Sequence, residues 1–171
     1  MNRFSILIFV LLPCLFISSC KKQSPQLPSN KGIEVDNTNA SLLIINKRLA
    51  TKEDIILKKF VEHKGSFKKN EIGFWYKVYD SGNGSLIKDS SVCKFSSQLT
   101  LLNGKILEEG VKQFVIGKKQ MIVGLEEGLK LMHRGDSATF IIPWYLGYGM
   151  IGNKPLVPPY TSIIYKVKLL N

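Results

Sequence analysis

Four prolines, Pro143, Pro155, Pro158 and Pro159, fall within residues 143–159, so no helix can run through that stretch. Proline lacks a backbone N–H and its ring clashes with the preceding turn, which costs about 3 kcal/mol in a helix interior. The same stretch carries Gly147, Gly149 and Gly152, which spell G-x-G-x-x-G. A dinucleotide fingerprint with this spacing must follow a strand, open a helix and lie in a βαβ unit, with an acid about 20 residues on. Here Pro143 follows the apolar "FII", the last glycine runs into "NKPLVPP", and only eleven residues follow Tyr160. The nucleotide reading fails. The segment is a proline- and aromatic-rich loop hung between two strands.

The surrounding periodicity is mostly two. "IGFWYKVYD", "SVCKFSSQLTLL", "LEEGVKQFVIG" and "DSATFII" read as strands, with a turn at "SGNGS" and a hairpin turn at Asn103-Gly104. The last strand is the clearest. Ile163, Tyr165, Val167 and Leu169 face one way, while Lys166 and Lys168 face the other. "VGLEEGLKLMHRG" reads as a short helix with Leu125, Leu129 and Met132 as its apolar stripe. Upstream, "NKRLATKEDIILKKFVEHKG" reads as a helix on the recurrence of Leu49, Ile56, Phe60 and of Leu57, Val61, stopped by Gly65. It is expected to dock on the main domain, with partner binding as the alternative. Antiparallel strands around one short helix make an α+β domain.

The chain opens with Arg3, the apolar "FSILIFVLLPCLFI" and the small residues "SSC". This run is too short to span a bilayer and is interrupted by Pro13. "ISSC" at Ile17–Cys20 resembles a bacterial lipobox, which implies removal of residues 1–19 and a diacylglycerol on the sulfur of Cys20. Cys14 would leave with the signal, and Cys93 would then stand alone without a disulfide partner. Residues 20–40 are polar, carry two prolines and read as a flexible tether, 41–70 as a helical extension, and 71–171 as the main domain. Lys21, with no acidic run after the lipid cysteine, suggests by resemblance to bacterial sorting rules the periplasmic face of the outer membrane. The formal net charge of +11 arises from lysines spread along the chain, and no cluster interleaves aromatics with arginine. The charge is a solvated surface, not a nucleic-acid interface.

From residue 88 onward, and strongly from 112, the chain resembles FKBP-type peptidyl-prolyl cis-trans isomerases. The motifs stand in order: "GLEEGL", "MHRGD", "IPWYLGYG", "VPP" and a closing strand. The lipobox, the extra helix, "GFWY" and "GLEEGLKLM" together resemble gliding-motility-associated isomerase lipoproteins of flavobacteria. The resemblance implies an FKBP-like antiparallel half-barrel sheet wrapped around one short helix, with an extra N-terminal helix. It also implies rotation about X-Pro bonds in proline-containing clients, with no cofactor or metal. Tyr148 would hydrogen-bond the peptide at the pocket mouth, and Ile122 would lend its N–H to a substrate carbonyl beside Met121. Leu125 would form the floor, where the family usually has Trp. Val157 and Tyr165 would line the wall, with Phe114 close by. Leu107 and Glu108 take the places of a Phe and an Asp, and Ser97 that of a Tyr.

These departures remove aromatic surface that would grip a prolyl ring. An aromatic side chain buries roughly 150–250 Å². A weak isomerase with weakened macrolide binding is expected, and a non-catalytic scaffold or chaperone lipoprotein is the competing reading. For Leu107, Phe114, Leu125 and Val157, plain core packing is the competing role. Glu126-Glu127 and Glu108-Glu109 read as solvated acids, since neighbours on a helix point to different sides. His63 and His133 lack ligand-spaced partners, so no metal site is expected.

Overall fold

Strand β6 (Ile163–Leu169) alternates as its sequence does, with Ile163, Tyr165, Val167 and Leu169 buried and both lysines exposed. The structure is a computed structural model that describes residues 37–80 and 83–170. The expected signal segment 1–19, Cys20, the expected tether as far as residue 36, and Ser81-Gly82 of the expected turn lie outside the described residues. The compact unit that starts at Ser41 contains the whole sheet and every element described below except the first four residues of α1.

In chain order the elements are α1 (Asn37–Glu62), β1 (Lys68–Lys69), β2 (Trp75–Asp80), β3 (Val92–Leu101) and β4 (Ile106–Val115). There follow α2 (Val123–Leu129), β5 (Ser137–Ile142), a single 3-10 turn (Trp144–Leu146) and β6. The six strands form one sheet in the order β1-β2-β5-β6-β3-β4, antiparallel at every described pairing. The expected α+β class and the strand assignments agree with this. The two-residue β1 carries no periodicity and was not legible.

The short helix α2 lies against β5 because two glycines let it. A methyl at Gly124 would stand 2.5 Å from Ile142 Cγ2, and one at Gly128 would stand 2.7 Å from Phe140 Cε1. Leu125, Leu129 and the following Met132 join Phe95, Leu99, Phe140 and Tyr165 in the main core. Since β5 alternates, Ile141 points to the opposite face, where Leu57 and Val61 of α1 cover it. Covered on both faces, β5 is a run of buried residues with no alternation from Ala138 onward. Each buried Leu or Val at this contact contributes about 1.5–3 kcal/mol of transfer free energy. α1 therefore docks on the domain, as expected.

Two expectations are corrected. α1 begins at Asn37, inside the stretch read as tether and nine residues before the expected start. Its added turns include Leu42, Leu43, Ile44 and Ile45, all exposed, and an unbroken apolar quartet offers no helical period to read. Glu126 is not a solvated acid. It is 8% exposed and its carboxylate accepts the Gly117 N–H, which fixes the turn between β4 and α2. Glu127 does reach solvent and pairs with Lys130 at 2.9 Å.

Candidate functional site

An open cleft of about 500 Å³ lies between the end of β4, the start of α2 and the proline-bearing loop. Leu125 lies at its base, while Phe114, Met121, Ile122, Tyr148 and Tyr165 line its sides. The sheet supplies Phe114 and Tyr165. Phe114 packs against Phe95 with ring centroids 5.9 Å apart, so its ring is held from behind. Met121 and Ile122 come from the segment before α2, which two side chains pin. Glu126 holds Gly117, and Gln120 Oε1 accepts the Val115 N–H at 3.0 Å. The Ile122 carbonyl accepts the N–H groups of Leu125 and Glu126 at 3.2 and 3.1 Å, capping α2. Its own N–H makes no hydrogen bond to another described backbone group and is available to a ligand carbonyl.

The glycine-bearing loop presents Tyr148. Its amides are occupied: Gly147 and Gly149 N–H both donate to Trp144 O, at 3.1 and 2.8 Å, and Gly152 N–H donates to Tyr148 O at 3.1 Å. A phosphate would find none of these donors free. Gly149 and Gly152 hold φ of 67° and 75°, and the Val157 carbonyl fills the space a side chain at Gly152 would need. Glycine is required there by backbone geometry, not by a nucleotide.

The Tyr148 and Tyr165 hydroxyls lie 3.1 Å apart. Tyr165 is 2% exposed. Burial pushes its hydroxyl pKa above the ordinary range, and the bond to Tyr148 and the negative charge of Glu108 push the same way. Tyr165 is therefore a neutral hydroxyl at any physiological pH. It can donate to Tyr148 and leave the Tyr148 proton for a ligand.

Of the residues expected at the site, the structure brings together Tyr148, Ile122, Met121, Leu125, Phe114 and Tyr165. Ser97, Leu107 and Val157 are not among the cleft-lining residues. Ser97 is 6% exposed and pairs with Val167 on β6 and Gly110 on β4, in a groove farther along the sheet. Leu107 sits in a bulge: Leu99 pairs with Glu108 and Thr100 with Ile106, which leaves Leu107 unpaired. Val157 is buried in the main core, with its backbone bonded in both directions to Asn153 at 2.8 Å. Glu108 acts on the cleft through a neighbour. Its carboxylate takes the Lys112 ammonium at 2.6 Å, and Lys112 lines the cleft. Gly110, between them on the strand, has no side chain to obstruct this reach.

Lys112, Lys119, Gln120 and Val123 line the cleft without having been singled out. Lys112 was readable, since it lies two residues before Phe114 and a strand places both on one face. Lys119 and Gln120 belong to a turn whose path has no sequence signal, and Gly147 stands in the loop that carries the rejected nucleotide motif.

A family model described as FKBP-type peptidyl-prolyl cis-trans isomerase matches residues 83–170. A probable FKBP-type peptidyl-prolyl cis-trans isomerase of Haemophilus influenzae is 32% identical over 107 residues, covering 61% of this chain and 44% of that protein. The isomerase FkpA of Escherichia coli K12 is 31% identical over 116 residues, covering 66% and 42% respectively. The chain thus spans less than half the length of these relatives. Among solved structures, AtFKBP13 superposes with a TM-score of 0.60 at 22% identity, covering 63% of this chain and 98% of that one. The N-terminal domain of FKBP42 from Arabidopsis thaliana gives 0.57 at 25% identity, over 63% and 91%. Both share the fold described above.

Proposed function

The chain belongs to the FKBP-type peptidyl-prolyl cis-trans isomerase family, and from that premise we propose that it accelerates rotation about X-Pro bonds in client polypeptides. The observation that carries this is the open cleft with an apolar base at Leu125, apolar sides and two hydrogen-bonding groups at its mouth, the Ile122 N–H and the Tyr148 hydroxyl.

The uncatalysed rotation takes tens to hundreds of seconds over a barrier of about 20 kcal/mol. The planar amide is stabilised by resonance and by water on its carbonyl, and both are lost as the bond twists. An apolar cleft strips that water and lowers the advantage of the planar form. The prolyl ring packs on Leu125 between Phe114 and Tyr165. Ile122 N–H and Tyr148 O–H hold the flanking carbonyls, so that binding energy is directed to the turn that the twisted bond requires. Lys112 and Glu108 neutralise one another on one wall.

On the sequence evidence of Cys20 and its lipobox, the enzyme is a lipoprotein held at the periplasmic face of the outer membrane, serving exported proline-containing clients. The resemblance to gliding-motility lipoproteins supports a role in motility or secretion. A second reading is favoured by one observation, the aliphatic floor at Leu125: a domain that binds proline-containing segments with little turnover.

A protease-coupled peptide assay separates the two. Turnover above buffer, reduced in Tyr148→Phe, supports the enzyme. Peptide binding without acceleration supports the binder. Globomycin-sensitive processing and loss of membrane association in Cys20→Ser check the anchor, and unaltered fractionation would remove it.

A further inference from the structure

The cleft loop is tied at both ends to two adjacent residues of α1. Asp54 Oδ1 accepts the Tyr145 hydroxyl at 2.6 Å, and Glu53 Oε1 accepts the Ser162 hydroxyl at 2.5 Å. Ser162 Oγ in turn accepts the Trp144 N–H at 3.1 Å. The partners are 91 and 109 residues apart in the chain. Trp144 and Ser162 are buried, and the Trp144 ring meets Tyr145 and Tyr160 edge-on at 5.6 and 5.0 Å.

We propose that α1 is a buttress of the cleft, with Asp54 and Glu53 as positioning residues that set where Tyr148 stands. The route is short. Trp144 O accepts the amides of both Gly147 and Gly149, the residues on either side of Tyr148. Whatever fixes Trp144 and Tyr145 therefore fixes the backbone of Tyr148. Leu57 and Val61 suffice to seat a helix on a sheet, but apolar contact is non-directional and does not specify a loop's position. A carboxylate–hydroxyl hydrogen bond is directional and charge-assisted. Tyr145 has its hydroxyl pKa raised by burial first and then by Asp54, so it remains a donor. Asp54 also meets Lys69 at 3.4 Å through its other oxygen, a contact open to solvent that leaves Oδ1 for Tyr145.

This inference rests on the isomerase reading for its effect on rate, but not for its effect on the loop. The test uses the full chain, its Asp54→Ala, Asp54→Asn and Tyr145→Phe variants, and the Asp54→Ala/Tyr145→Phe double variant. Amide hydrogen exchange is followed by NMR beside peptide turnover. In Asp54→Ala the Gly147 and Gly149 amides are expected to exchange about tenfold faster, with β3 amides unchanged. Turnover falls about tenfold, chiefly in kcat. Asparagine, whose carbonyl still accepts, restores most of both effects, and the double variant is no worse than either single change. Unchanged protection of Gly147 and Gly149, or an equal loss of protection throughout the sheet, overturns the buttress. A wild-type chain without turnover removes the isomerase reading alone, since the exchange measurement still decides the buttress.

Discussion

The hydroxyl of Tyr165 stands 3.1 Å from that of Tyr148, and both residues line the cleft. A neutral hydrogen bond contributes about 0.5–1.5 kcal/mol, or roughly twofold to tenfold in rate. Tyr148→Phe is expected to lower kcat/KM about tenfold. Tyr165→Phe should lower it about threefold, because Tyr148 keeps its hydroxyl but loses the group that orients it. The double variant should match Tyr148→Phe in the peptide assay, and additive losses would show that the tyrosines act independently.

Replacing Leu125 by Trp should restore an aromatic floor. Aromatic contacts add about 0.5–1.5 kcal/mol beyond burial, so titration with a proline peptide should show up to about tenfold tighter binding. Leu125 is 2% exposed, and overpacking costs about 1–3 kcal/mol, so the thermal midpoint should fall in the same variant.

Gly128→Ala tests how close α2 must approach β5. Helix propensity favours alanine by up to about 1 kcal/mol. The added methyl would meet Phe140 Cε1 at 2.7 Å and Cδ1 at 2.8 Å, and Phe140 is wholly buried. The clash is the larger effect: a net loss of about 1–2 kcal/mol is expected in denaturant unfolding.

Alkaline pH should weaken the fold through Cys93. Burial pushes its thiol up from 9.0 to about 11, a shift that the nearby Arg134 charge opposes. The folded chain therefore keeps the proton that the unfolded chain releases above about 9. This contribution is complete below pH 9 and is lost between 9 and about 11, with a slope approaching about 1.4 kcal/mol per pH unit. Raised hydroxyl pKa values at Tyr145 and Tyr165 extend the loss above pH 10. In Cys93→Ala, urea midpoints should be flatter between pH 9 and 10.

β6 was legible in the sequence because one of its faces is buried and the other is not, and α2 because Leu125 and Leu129 recur at helical spacing, whereas Met132, read into the same stripe, lies beyond the end of the helix. Tyr148, Ile122 and Leu125, which line the cleft, were named in the sequence through the family resemblance and not through periodicity or spacing. Legibility ended where the third dimension decides. The bulge that leaves Leu107 unpaired has no local marker, and "EE" at 126–127 gives no sign that one acid is buried on Gly117 while the other is solvated. The links from Glu53 and Asp54 to Ser162 and Tyr145 join residues about a hundred positions apart, and no periodicity reports them.

The sheet order places β6, last of the strands along the chain, between β5 and β3. Before it arrives, β1-β2-β5 and β3-β4 are two ribbons with no shared seam. Closure is therefore a long-range event, and the sheet remains open until β6 is in place between β5 and β3.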